Sequence, residues 1–179
     1  MPKGYYTYES FFADTSLFGV IGPSLGTTFG TAYKLTVNGR IMGMRMFVNA
    51  IGDNKGLVFY LLETTDAGAV QSLHAAVTDL RNYNGSVPGF RNVYLQHPLR
   101  VNTAWRYRVC VFGALENNGI WKGALAAGSV THGHITAVQD NVPAGQRNSA
   151  AATTARYPNA APSSGAGDMY GLDLLFLPD

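Results

Sequence analysis

Charge is what this sequence has least of. Of its 179 residues, 13% are Asp, Glu, Lys or Arg, about half the ~25% of an ordinary soluble domain. The apolar share, 46%, is ordinary, so Gly, Ala, Thr, Ser and Asn stand in for the missing charges. A disordered polyelectrolyte is excluded, because it combines high charge with few apolar residues. A coiled coil is excluded for want of Glu, Lys and Arg. The formal net charge of +2 gives no support to a dedicated nucleic-acid binder, which must neutralise many phosphates. Cysteine is nearly absent too. Cys110 stands alone, so no intrachain disulfide and no Cys cluster for zinc can form. The longest apolar run, Val109 to Leu115, ends at Arg108 and Glu116, far short of the about 20 residues of a spanning helix. The first residues, Met1 to Phe12, hold no apolar stretch of signal-peptide length. Neither membrane insertion nor a secretory signal is expected. What is present fits one domain with a real core.

The local pattern is that of strands. Gly26 to Val37 is rich in Thr, aromatic and β-branched residues. Asn38-Gly39 follows, a pair suited to a tight hairpin, and then the strand Arg40 to Val48. Leu57 to Glu63, Phe90 to Gln96, Ala104 to Phe112 and Tyr170 to Leu177 also read as strands, and Val70 to Leu80 leans that way. Ser129 to Val138 adds one more. No stretch keeps an uninterrupted helical period. The expected fold is all-β, an antiparallel, jelly-roll-like sandwich with long loops. Met1 to Ser24 forms an N-terminal arm, residues 25–179 form the single domain, and a Gly/Ala/Ser-rich insertion spans about 139–168.

Strand faces carry a further message. In Arg40 to Val48 one face takes Ile41, Gly43, Arg45 and Phe47, the other Met42, Met44, Met46 and Val48. Both faces of Leu57 to Leu62 are apolar or aromatic, whereas a free sandwich strand alternates apolar with polar. Either loops and the arm cover these faces, or another subunit does. The arm residues Tyr5, Tyr6, Tyr8, Phe11 and Phe12 are candidates for subunit contact. Gly39 closes the expected hairpin, and Gly43 admits close approach of a neighbouring backbone. Arg45, among apolar neighbours, requires a buried acceptor, and Asp173 in the last strand is the candidate.

Catalytic chemistry is sparse. No G-x-S-x-G, Walker loop or dinucleotide fingerprint occurs. His132 and His134 would share one face of a strand and suit a metal, but only distant carboxylates such as Asp140 offer a third ligand. The alternative is a polar pair beside a turn. Glu63 with Asp66, or Asp53 with Asp79, has no spacing that favours glycoside cleavage over solvated loop acids, and Asp53-Asn54 with Asp66 lacks an EF-hand spacing. Cys110 reads as a small buried hydrophobe. Arg106 and Arg108 share a strand face opposite Trp105, Tyr107, Val109 and Val111, a polar face rather than a nucleic-acid platform. Trp121, Tyr83 and Tyr94 are candidates for stacking on a sugar ring. No catalytic residue, cofactor or metal is expected.

Four pieces, in order, resemble an uncharacterised β-sandwich domain family of bacteria and phages. They are Ser24-Leu25-Gly26-Thr27-Thr28-Phe29; Gly39 to Phe47; Pro98 and Val101 followed by Tyr107-Arg108-Val109; and Tyr157-Pro158 followed by Tyr170 to Phe176. Met46-Phe47 stands where the family prefers Phe-Tyr, and Gly171 where Trp is common, so no aromatic surface is carried over from those positions. The resemblance implies a sandwich and no agreed catalytic residues. Together with the start at Met1 and the aromatic arm, it implies a non-enzymatic bacteriophage virion protein. The expected place is the tail or tail tip, as a minor tail protein, with head decoration as the alternative. Expected partners are other virion proteins, further copies of the chain and, in host attachment, a surface glycan. A carbohydrate-binding module ranks second and a hydrolase third.

Overall fold

The computed structural model describes residues 7–12, 19–21, 24–48, 57–66, 69–78, 89–115, 118–121, 124–138 and 169–179. Among them lie twelve strands and no helix: β1 (Gly19–Ile21), β2 (Ser24–Leu35), β3 (Gly39–Val48), β4 (Leu57–Thr64), β5 (Val70–Thr78), β6 (Gly89–Arg100), β7 (Arg106–Leu115), β8 (Asn118–Trp121), β9 (Val130–His132), β10 (Ile135–Ala137), β11 (Met169–Tyr170) and β12 (Leu172–Pro178). They form two six-stranded antiparallel sheets. One runs β1-β8-β3-β12, with β11 beside β8 and β6 beside β3. The other runs β5-β4-β7-β2-β10-β9. The expected all-β sandwich is the fold.

The core lies between the sheets. Tyr33, Leu61, Tyr107 and Val109 of the second sheet meet Ile41, Met44, Leu174 and Phe176 of the first. Alternation along each strand produces this, since every second side chain faces inward. Tyr33 reaches across, its buried hydroxyl donating to the Leu172 carbonyl of the opposite sheet. The hydroxyl of Tyr107 accepts the Asn102 amide at 2.6 Å and so fixes the turn that enters β7. That turn also holds half-buried Trp105, which precedes β7 rather than packing as one of its core residues.

Three local expectations are corrected. The Asn38-Gly39 stretch does not close a hairpin: β2 pairs with β7 and β10, whereas β3 pairs with β12, β6 and β8. The chain turns a corner from one sheet to the other, because the apolar faces of β2 and β3 meet across the core instead of side by side. Gly39 serves a different need there. A Cβ on it would lie 2.4 Å from the Leu177 carbonyl oxygen and 2.6 Å from the Phe176 ring.

Second, a bulge interrupts β3. The partners of Gly43 and Ile41 in β12 are the adjacent residues Leu175 and Phe176, so Met42 is the extra residue. An extra residue flips all side chains beyond it. Ile41 therefore joins Met44 and Met46 in the core, instead of sharing a face with Gly43, Arg45 and Phe47. Third, Ser129 to Val138 is not one strand. It folds back as β9 and β10 around Gly133-His134, with Ile135 opposite His132. Gly133 has φ +56°, a conformation glycine adopts without penalty.

The expected arm up to Ser24 contains a strand, β1, paired with β8. The expected insertion at 139–168 lies outside the described residues. Gly43 answers its expectation: a Cβ there would sit 2.4 Å from the Val93 carbonyl oxygen and 3.0 Å from the Tyr94 Cα. Both are backbone atoms of β6, which cannot swing away as a side chain tip can. Gly43→Ala is expected to lower stability by about 1–3 kcal/mol in urea denaturation. A loss under about 0.5 kcal/mol would show that β6 yields freely.

Candidate functional site

The most developed polar site is a socket that holds the N-terminal arm. Asp173 and Arg45 stand opposite each other in β12 and β3, and their pairing answers the expectation from the sequence. Asp173 Oδ2 accepts from Arg45 Nε at 3.0 Å and Nη2 at 2.8 Å. The same carboxylate also accepts the backbone amides of Phe11, on Oδ1, and Phe12, on Oδ2, both at 3.0 Å. The Leu174 amide adds a bond of 2.7 Å to Oδ1. Arg45 Nη2 donates onward to the Phe12 carbonyl, and its guanidinium lies 4.0 Å over the Phe90 ring. Asp173 is wholly buried. Burial pushes its carboxyl above the ordinary range, while Arg45 and the Phe12 and Phe11 amides pull the other way.

The arm reaches this socket as an added edge. Glu9 and Phe176 exchange two backbone hydrogen bonds, of 2.7 and 2.9 Å. Further along, the Asp173 side chain takes the Phe11 and Phe12 amides in place of a continuing ladder. Phe11 turns inward, 5.7 Å from Tyr33 and stacked on His132 at 4.5 Å. Phe12 packs on Phe90 at 6.0 Å. Both rings are buried in their own chain. This places Phe11 and Phe12 away from any surface and corrects the expectation that they contact another subunit. Tyr8 remains half-exposed, 6.3 Å from Tyr94. Tyr5 and Tyr6 lie outside the described residues.

His132 and His134 both bond to the arm. His132 ends β9 and His134 lies in the turn that leads to β10, so they do not project together from one strand face. His132 Nδ1 is 2.8 Å from the Phe11 carbonyl oxygen, which makes that nitrogen a donor. His134 Nδ1 is 2.8 Å from Glu9 Oε1, and the His134 amide donates to Glu9 Oε2 at 3.1 Å. No group of three metal-ligating side chains occurs among the described residues. The only signal for these contacts in the sequence was the pair of histidines around a glycine, and nothing local named the arm as their partner.

The remaining candidates separate. Buried Glu63 accepts from Ser72 Oγ and lies 3.3 Å from His74 Nε2. Ser72 Oγ is also 3.3 Å from that same nitrogen. A Ser-His-acid relay needs serine and acid on different ring nitrogens, so this cluster satisfies a buried carboxylate instead. Asp66, weighed with Glu63 as a carboxylate pair, pairs instead at the surface with Arg106 Nε at 2.8 Å and Lys34 Nζ at 3.3 Å. The Arg106 and Lys34 bonds hold its carboxyl below the ordinary value. Arg108 is buried and Arg106 is committed to Asp66, so the pair presents no basic platform. Burial pushes the Cys110 thiol up to about 12, which leaves it the inert hydrophobe expected.

Tyr94 is 54% exposed on β6, and Asn92 Nδ2 lies 3.3 Å from its hydroxyl. Trp121 ends β8 with its backbone opposite Met169. Tyr83, Asp53, Asn54, Asp79 and Asp140 lie outside the described residues. A scan against protein-family models finds no match for this chain, and a search of curated proteins finds none either.

Proposed function

We propose that this protein is a non-enzymatic structural component of a bacteriophage virion, of the tail or tail tip. The observation that carries the reading is the seated arm. An aromatic N-terminal segment is fixed on a sandwich edge by a buried charge pair and two histidines. Such a construction spends its polar chemistry on holding the arm to its own sandwich rather than on a substrate. The low charge, 13%, supports it, since a weakly charged surface is poorly protected against association. So does the four-part sequence resemblance. Docking on neighbouring virion proteins is the proposed role. Mass spectrometry of purified particles should find the protein at fixed stoichiometry; its absence from particles defeats the reading.

A second reading, binding of a surface glycan, is favoured by one observation. Tyr94 exposes its ring beside Tyr8, with the Asn92 amide next to its hydroxyl. Exposed aromatic faces stack on sugar rings, and amides bond their hydroxyls. A glycan array in which Tyr94→Ala abolishes binding would favour this reading.

A further inference from the structure

An unpaired strand edge is a template for another strand, and proteins blunt such edges by shortness, charge, proline, bulges or a cover. Most edges described in this protein carry one of those devices. The strands β1, β9 and β11 have three residues or fewer. β12 is covered by the arm through Glu9 and Phe176. β6 carries Arg91, Pro98 and Arg100, and its register against β3 shifts between Ile41 and Gly43.

β5 is the exception. It has nine residues, pairs only with β4 among the described strands, and contains no Lys, Arg, Asp, Glu or Pro. Its one irregularity, at Gln71, has a particular effect. Val70 lies opposite Thr64 and Leu73 opposite Leu62, so both fall on the same, outer face. They are 49% and 41% exposed. Inward from them on that face, Leu62, Tyr60 and Cys110 form a second buried apolar cluster. An apolar band thus runs from this cluster, past the buried Arg108 opposite Leu62, out to an edge strand without Asp, Glu, Lys or Arg.

We infer that β5 is a self-association edge, pairing antiparallel with β5 of a second copy about a twofold axis. Three points select this occupant. A neutral strand meets its own copy with no like charges opposed, whereas it offers a charged partner nothing. Side-by-side pairing makes the two outer clusters continuous and brings Val70 and Leu73 of both copies under cover. Antiparallel pairing is also self-complementary, so it uses up both edges and closes at two copies.

The inference does not rest on the virion reading, and the two fail separately: absence from particles touches only that reading. The test is sedimentation velocity on the full chain from micromolar to near-millimolar concentration, with Leu73→Lys and Val70→Lys. The wild type should reach a dimer. Each lysine, set opposite its twofold mate's edge, should weaken the dimer by about tenfold or more. Thermal unfolding of each dilute variant should stay near that of the wild type. Amide exchange in β5 should be slow in the dimer and fast in Leu73→Lys. Should Leu73→Lys lose its cooperative transition, Val70→Lys, at the more exposed position, carries the test. A wild type that stays monomeric throughout, or a dimer indifferent to the lysines, overturns the inference.

Discussion

Asp173→Ala is expected to lower the stability of this protein by about 3–5 kcal/mol, read from urea denaturation. Two losses combine. Arg45, whose side chain is 14% exposed, keeps a nearly buried charge without its counterion. The Phe11 and Phe12 amides lose their acceptor, and unmade buried hydrogen bonds cost the desolvation of each group. A domain with ordinary stability, about 5–15 kcal/mol, would lose a large part of its margin. The intact pair is not thereby a large net source of stability, because burial is the strongest influence on the Asp173 carboxyl. Its value lies in register. A slip of β12 by one residue against β3 would carry Asp173 away from Arg45 and turn Leu172, Leu174 and Phe176 out of the core.

A double-mutant cycle separates these roles. Arg45→Met with Asp173→Leu removes both charges and should recover part of the loss, leaving the two arm amides still unsatisfied. Reversing the pair, Arg45→Asp with Asp173→Arg, should recover less. Arginine at 173 presents donors to amides that need an acceptor. If the single changes each cost under about 1 kcal/mol, or their costs simply add, the socket is not coupled in this way.

Phe11→Ala is the second large effect, about 3–5 kcal/mol. The ring is wholly buried and touches Tyr33, Phe12 and His132. Truncation leaves a cavity between the arm and both sheets, where the polar clamps around it restrict collapse. It should also loosen the arm, so that the β12 amides exchange faster and proteolysis near residues 7–12 speeds up. Tyr8→Ala, at a half-exposed position, should cost under about 1 kcal/mol. Stability of Phe11→Ala within that same margin would show that the arm is a passive cover.

The parts of the fold that were legible in the sequence share one property: their cause is local. β3, β4, β6 and β7 announce themselves through β-branched and aromatic runs between turn residues. The short strands β1 and β8 did not, because three or four residues cannot display a period. Gly43 was legible because glycine inside a strand has few other uses. Arg45 was legible because a charge on an apolar face demands a partner, and the last strand holds Asp173. The arm's route was not. The amides of Phe11 and Phe12 have no sequence signature, and their acceptor lies more than 160 residues away.

By itself, then, the sequence determined that this chain is a weakly charged sandwich of antiparallel strands, with one charge pair to be buried. Only the tertiary structure decided which strand meets which. Asn38-Gly39 suits a hairpin and a sheet-to-sheet corner equally well, since the backbone freedom is the same in both. The choice between them falls to non-local contacts, here the burial of β2 and β3 on opposite sides of one core. One extra residue at Met42 shows the same dependence: it satisfies the pleat of β12 and moves Ile41 across the sheet. The charge deficit fits this division. It was visible from composition, but only the tertiary arrangement shows that the long uncharged strand β5 lies at a sheet edge among the described strands.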